Sequence, residues 1–348
     1  MRTHSVLIAA IVAVLIGACT PPVPRLNPDR ISVIRSYTCD TDVADPLPAW
    51  NPATYQVVMR SSNGFILHQE GNQRREIFKS ENRVETGFPA WTSPNQFVFG
   101  PLTNLRRGPD GKDILSTQGL SLVDVVDGAT KTAVSARIFS IQGCRPRPDQ
   151  LIVWAQSGRR MISVDRFGEI TDTGEGFWPE PQVGKPGMAW QDTPVIEPDI
   201  WTGRPTRGCL NVRWSKGQVD RVPGAIQARW MADGRVVATV LRGEPVAGKP
   251  WWSEGSDVVV IAPGGQVRVI AADARDPVPH PSAALVAVTS SKGGVQIVGV
   301  DGGEPMQLTF TGNRPQWSHD GLRILTEETA NVGTTVRIHV LRIDPPRP

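Results

Sequence analysis

Short apolar runs recur along the chain from about Arg30 to Asp344. Most alternate with polar positions, and each is stopped by Gly, Pro, Asn or Asp. Alternation of this kind marks half-buried β-strands. Helical periodicity is almost absent outside the apolar run Val6–Ile16. The clearest unit is Asn313–Glu327. Pro315 ends an incoming strand, Trp317 is a ring that needs burial, and Asp320-Gly321 makes a tight turn, because glycine accepts positive φ. Leu322–Thr326 then alternates into an outgoing strand. Just upstream, Val295–Val300 and Met306–Thr309 read as two more strands, hinged at Asp301-Gly302-Gly303. A four-stranded antiparallel unit has an apolar face that it cannot bury alone, so it predicts copies of itself.

Copies are present. Trp230 is followed by the turn Asp233-Gly234 and the strand Arg235–Ala238. Trp91 is followed by Pro94-Asn95 and Gln96–Phe99. Trp50 opens a copy that runs into Tyr55–Met59, and Trp190 opens a shorter one. Two copies lack the ring: Arg145 leads into Leu151–Trp154, and His280 leads into Leu285–Thr289. With Trp317, the anchors fall at positions 50, 91, 145, 190, 230, 280 and 317. A propeller blade needs about 40–45 residues. The longer intervals are explained by insertions at Thr103–Asp113 and Glu244–Gly255, and Trp251-Trp252 falls inside the second of these.

The expectation is therefore an all-β protein, a seven-bladed β-propeller of four-stranded antiparallel blades. Six or eight blades stay open, because two anchors are weak. Ring closure removes the exposed sheet edges that invite aggregation. The last blade runs out of chain after Thr335–Ile343, one strand short, and Arg30–Ser36 is a spare strand that would complete it. The tryptophans read as packing between blades rather than as a ligand platform, and the Asp-Gly pairs read as turns rather than catalytic acids.

Composition refines this picture. The 348 residues carry a formal charge of +3, which gives no electrostatic footprint for nucleic acid. The pairs Arg106-Arg107 and Arg159-Arg160, and Arg145-Pro146-Arg147, read as solvated turns or as a patch for an acidic partner or anionic headgroups. Asp40-Thr41-Asp42 and Glu197-Pro198-Asp199 are close carboxylates without a full loop of oxygen ligands, so turns are favoured over calcium. The histidines show no metal-binding spacing. No Gly-x-Ser-x-Gly elbow, P-loop or dinucleotide fingerprint is present. No catalytic, metal or cofactor-binding residue is assigned, and no cofactor is expected. Cys39, Cys144 and Cys209 allow one disulfide at most, and their spacing does not choose the pair.

The N-terminus carries a short polar region, the apolar run Val6–Ile16, then Leu15-Ile16-Gly17-Ala18-Cys19. The run is shorter than the ~20 residues of a spanning helix and fits a secretory signal. Its end resembles a bacterial lipobox. That resemblance implies cleavage before Cys19 and acylation of its thiol, which would hold the chain at a membrane surface. An ordinary cleaved signal with an incidental cysteine is the alternative. Thr20 after the cysteine, in place of Asp, resembles lipoproteins sent to the outer membrane of a double-membrane cell. The implied organisation is a signal at 1–18, a linker at 19–29, a propeller at 30–344 and a tail at 345–348.

Pro315-x-Trp317-Ser318-x-Asp320-Gly321-x-x-Ile324 resembles the repeat of TolB-type propellers, as does Gln296–Thr309. The propeller part of LpqB-like lipoproteins is a further resemblance. These propellers mostly bind other proteins. The resemblance thus implies a lipid-anchored, extracytoplasmic docking scaffold, monomeric, at the cell membrane or outer membrane, with an envelope protein as partner. Trp251, Trp252, Arg106 and Arg107 in the two insertions are the candidate contacts. The alternatives are an envelope hydrolase or lyase, with two carboxylates about 5–10 Å apart at the channel mouth, or a propeller that binds a small ligand in its channel.

Overall fold

The computed structural model describes residues 28–344, apart from 40–42, 44–45, 63, 70–72, 80–88, 100–101, 108–112, 118–119, 135–144, 148–151, 158–159, 165–169, 193–207, 216–217, 245, 247–248, 250–251 and 331–332. Strand-forming runs separated by tight turns pair with their chain neighbours, giving seven four-stranded antiparallel sheets. Blade 1 is Ala49–Trp50, Val57–Ser61, Gly64–Gln69 and Gln73–Lys79. Blade 2 is Ala90–Ser93, Gln96–Phe99, Leu120–Asp124 and Thr130–Val134. Blade 3 is Arg145–Arg147, Ile152–Ser157, Arg160–Val164 and Ile170–Glu175. Blade 4 is Phe177–Pro181, Met188–Gln191, Cys209–Ser215 and Gln218–Pro223. Blade 5 is Ala225–Trp230, Val236–Leu241, Ser256–Ala262 and Gln266–Ala271. Blade 6 is Ala274–Pro279, Leu285–Ser290, Val295–Gly299 and Met306–Thr309. Blade 7 takes Asn313–Trp317, Arg323–Ala330 and Gly333–Ile343, and borrows Ile31–Cys39 as its outermost strand.

The first strand of each blade touches the first strand of the next, and that of blade 7 touches that of blade 1, so the seven sheets form a closed ring. The spare N-terminal strand does what its position required. Ile31 pairs with Ile343 and Cys39 with Val336, and the Asp344 amide donates to Arg30 O at 3.0 Å.

The core lies in the seams between blades. Val58, Phe65 and Leu67 of blade 1 pack on Trp91, Phe97 and Phe99 of blade 2. Leu210 and Val212 of blade 4 meet Val236 and Ala238 of blade 5. Cys39, Leu325 and Ile338 of blade 7 meet Val57 and Met59 of blade 1. Each such Val, Leu or Ile contributes roughly 1.5–3 kcal/mol by leaving water.

The anchor tryptophans add a directional bond to each seam. The indole N–H of Trp91 donates to Ala49 O at 3.0 Å, and that of Trp230 donates to Glu180 O at 2.8 Å. Trp317 donates to Val278 O at 3.0 Å, and Trp50 donates to Gln316 O at 3.1 Å. In every case the acceptor is the residue just before the equivalent anchor position of the preceding blade. The Trp50 bond therefore closes the ring a second time. A third closure comes from Tyr55, whose hydroxyl donates to Asp320 Oδ2 at 2.5 Å, while Asp320 Oδ1 takes Ser318 Oγ at 2.6 Å and the Leu322 amide at 3.0 Å.

Three expectations need correction. Trp190 does not open a blade. It lies on the second strand of blade 4, and Pro181 holds the anchor position, pairing with Met188 as Trp230 pairs with Val236. The shift arises because residues 192–208 intervene between the second and third strands, an insertion that breaks the apparent spacing. The unit read across Val295–Glu327 also straddles a boundary. Its first two strands finish blade 6 and its last two begin blade 7, joined by residues 310–312. His280 follows the first strand of blade 6, where Pro279 is the anchor. Its ring packs edge-on against Trp317, with centroids 4.7 Å apart.

That imidazole also explains Gly321. Its φ is +73°, and a Cβ there would coincide with the His280 ring. Gly321→Ala is expected to cost about 2–3 kcal/mol through strain and overpacking. A urea titration showing less than about 0.5 kcal/mol would mean that this turn is free to move.

Candidate functional site

A chain that runs up and down in four strands per blade places its connections on two opposite faces. The first-to-second and third-to-fourth turns share one face. The second-to-third connections and the links between blades share the other. All three long insertions are second-to-third connections: residues 100–119 in blade 2, 192–208 in blade 4 and 242–255 in blade 5. These connections therefore leave and rejoin their sheets on one face, called here the insertion face. The closing strand enters at Ile31 on the opposite face, where buried Pro28 packs near Gly299 at the third-to-fourth turn of blade 6.

The predicted contacts fall as follows. Trp251 and Cys19 lie outside the described residues, as do Asp40–Asp42, Glu197–Asp199 and Cys144. Arg106 and Arg107 sit on a two-stranded ribbon, Leu102–Arg107 with Asp113–Thr117, in register with Ile114 and Asp113. Trp252 is half-buried, packed on Ile226 and Leu241 of its own blade. The Arg275 guanidinium from blade 6 lies 4.3 Å over its ring. Cys39 and Cys209 stand on blades 7 and 4, three blades apart, which excludes a bridge between them.

The first strands carry a feature that spacing alone does not reveal. Among the described residues six non-glycine residues adopt left-handed φ; Asp273 (52°) lies in the link before blade 6, and the other five are Leu47 (45°), Trp178 (55°), Gln227 (54°), Asp276 (52°) and Arg314 (46°). Each of these five stands three residues before an anchor: Trp50, Pro181, Trp230, Pro279 or Trp317. In blades 4–7 the bulge shows as a register shift between Phe177 and Glu180, Ile226 and Arg229, Arg275 and Val278, and Asn313 and Gln316. Holding such a residue left-handed costs roughly 1–2 kcal/mol, so neighbouring groups must hold it there.

Side chains from the preceding blade do so. The Asp276 amide donates to Gln227 Oε1 at 3.3 Å, and the Arg314 amide donates to Thr289 Oγ1 at 3.2 Å. Gln227 Nε2 donates to Asp276 Oδ1 at 2.7 Å, and Thr239 Oγ1 donates to Gln227 Oε1 at 2.9 Å. The result is a polar band on the channel wall of blades 4–7. Its carboxylates each stand beside an arginine: Glu180 with Arg229 at 3.5 Å, Asp276 with Arg275 at 3.4 Å, and Glu327 with Arg314 at 3.5 Å. Burial lowers the pKa of Arg275, opposed by the charge of Asp276 and reinforced by that of Arg314. Among the described residues no group of three or more His, Cys, Asp or Glu is placed to hold a metal ion.

No protein-family model matches the sequence, and no curated protein does. The fold, however, is shared with solved structures. An oligogalacturonate lyase in complex with manganese aligns over 90% of this chain and 93% of its own, at TM-score 0.57 and 12% identity. YCF48 bound to D1 peptide aligns over 91% of this chain and 99% of its own, at TM-score 0.52 and 9% identity. TolB from Acinetobacter baumannii aligns over 87% of this chain and 67% of its own, at TM-score 0.41 and 13% identity. The chain is a β-propeller like these, and at such identities the likeness extends to the fold and no further.

Proposed function

We propose that this propeller is held to a membrane surface through a lipid on Cys19 and docks a protein partner on its insertion face. The observation that carries this reading is the opposition of two features: the chain enters the ring on one face, and the three long second-to-third connections are joined to their sheets on the other. A tether at residues 19–29 would turn the entry face toward the bilayer and leave the insertions pointing outward. The polar wall, with each carboxylate beside an arginine, suits recognition better than acid–base hydrolysis. YCF48, a propeller of similar fold, is known bound to a peptide. The enzymatic alternative takes its support from the likeness to a lyase.

Expression of the full chain and of Cys19→Ala in a bacterial host tests the anchor. The wild type is expected to follow the detergent phase and the variant the aqueous phase. A wild type in the aqueous phase ends the lipid reading. For docking, photo-crosslinkers placed on the insertion face at Phe310 and on the entry face at Val183 are compared. Adducts from Phe310 alone are expected, and equal adducts from both faces would count against a dedicated docking face.

A further inference from the structure

We infer that the channel wall of blade 4, through Trp178 and Gln191 with Gln227 of blade 5, binds an uncharged sugar. The site stands apart from the docking reading and needs neither the lipid nor the protein partner. First strands are innermost, each touching the first strand of the next blade, and they run from the insertion face to the entry face. Residues three places before the anchors therefore lie in the half of the channel nearer the insertion face.

Blades 4 to 7 repeat one local pairing. Ile226 pairs with Thr239, Arg275 with Thr289 and Asn313 with Glu327, and the left-handed residue follows at once: Gln227, Asp276 and Arg314. In blade 4 the pair is Phe177 with Gln191, and the residue that follows is Trp178. The second-strand members Gln191, Thr239, Thr289 and Glu327 are all buried. In blades 5 to 7 they have partners. Thr239 Oγ1 donates to Gln227 Oε1 at 2.9 Å, Thr289 Oγ1 accepts the Arg314 amide at 3.2 Å, and Glu327 Oε2 stands 3.5 Å from Arg314 Nη1. Blade 4 departs from this. Gln191 is 4% exposed, and its Oε1 accepts no hydrogen bond among the described residues. Among those residues the Trp178 indole N–H donates none either, whereas the indoles of Trp50, Trp91, Trp230 and Trp317 all donate across their seams.

An orphaned acceptor and an unspent donor at adjoining positions suit a group that both donates and accepts, which is a hydroxyl. The partly exposed Trp178 ring adds an aromatic face, whose negative π cloud attracts the C–H face of a sugar ring. Gln227 gives one amide N–H to Asp276 Oδ1 at 2.7 Å and keeps a second for another hydroxyl. The charges of the wall are matched, since Glu180, Asp276 and Glu327 each stand beside an arginine, so an uncharged ligand fits it better than an ion. Trp178 is also held at a φ of 55°, and strain of this kind in a bulky residue gathers where a side chain must be aimed.

The test uses the purified full chain in micelles of a sugar-free detergent, titrated by calorimetry with cellotriose, maltotriose and chitotriose, and with trigalacturonate as the charged control. At least one neutral trisaccharide is expected to bind, with an affinity that stays level as salt rises, as for an uncharged ligand. Trp178→Ala removes the platform and is expected to lose about tenfold or more. Trp178→Phe keeps the face but not the donor and is expected to lose about threefold. Gln191→Leu is expected to lose about fivefold while its thermal midpoint stays level or rises, because it deletes a buried acceptor that has no partner. Thermal midpoints of all variants are compared with wild type, and the two milder changes keep the test open if Trp178→Ala does not fold. Failure of all three neutral trisaccharides to bind, or tighter binding of trigalacturonate, would overturn the inference. Wild-type affinity in folded Trp178→Ala would do the same, as would a Gln191→Leu variant that keeps its affinity and melts lower. None of these outcomes touches the docking reading.

Discussion

Trp317→Ala is expected to lower the free energy of unfolding by about 4 kcal/mol, and Trp317→Phe by about 1–2 kcal/mol. The ring is 7% exposed and sits in the seam of blades 6 and 7 with Leu285, Ile297, Ile324 and Leu341. Removing a large buried aromatic costs about 3–5 kcal/mol through lost transfer energy and the cavity left behind. The His280 ring, which packs edge-on against it with centroids 4.7 Å apart, loses its support at the same time. Phenylalanine restores most of the volume but cannot donate to Val278 O, now reached by the indole at 3.0 Å, and a deserted buried acceptor costs about 1–3 kcal/mol. Urea titrations read by circular dichroism separate the two terms, provided the slope stays constant. Trp252→Ala supplies the contrast. Its ring is half-buried on a satellite cluster of Ile226 and Leu241, so about 1 kcal/mol is expected. If Trp317→Ala and Trp252→Ala cost the same, the seam rings are not the anchors that hold neighbouring blades together.

That contrast bears on how far a sequence can be read. The rings at Trp50, Trp91, Trp230 and Trp317 were legible because a large aromatic ahead of a tight turn has few other uses. The closing strand was legible because strands must come in whole blades, and Ile31–Cys39 was the remainder. Phase was harder. A tight link between blades and a hairpin within one carry the same Gly and Thr signals, so residues 310–312 looked like a turn inside a sheet. Trp190 misled because the insertion 192–208 stretched its blade, and a tryptophan in a second strand looks like one in a first. The bulges were invisible. Trp, Gln and Arg have no preference for left-handed φ, and the groups that hold them there come from far along the chain, as Thr289 does for Arg314. The Arg275–Trp252 contact joins residues on different blades, and only the ring geometry brings them together.

Acid is expected to begin loosening the ring from about pH 6.5 downward, before most carboxylates titrate. Two histidines are buried and neutral. His280 has its pKa pushed down to about 4, first by burial, against weaker opposing effects from the Gly321 backbone and the Asp320 charge. Its Nδ1 accepts the Ser282 and Ala283 amides at 3.1 and 3.0 Å. His339 is also pushed down to about 4, by burial and then by the charge of Arg337. It binds Ser36 Oγ at 2.9 Å through Nδ1 and Thr326 Oγ1 at 3.3 Å through Nε2, and so ties the closing strand to two strands of blade 7. Because both folded values lie below the unfolded value near 6.5, the unfolded chain binds more protons between pH 6.5 and 4. The stability these rings contribute is whole above pH 6.5 and is lost as pH falls toward 4. A full 2.5-unit depression is worth about 3 kcal/mol per ring, and residual access to solvent trims this, so roughly 4–5 kcal/mol together is expected. Melts between about pH 7 and 5.5 keep most carboxylates ionised and sample the first part of the effect, about 1 kcal/mol per ring. His339→Gln retains hydrogen-bonding capacity without a titrating ring and should remove about half of the slope. A slope unchanged by His339→Gln and by His280→Asn would place the acid sensitivity elsewhere. Loss of half the slope with His339→Gln would locate one acid-sensitive point of the ring at the seam where its two ends are joined.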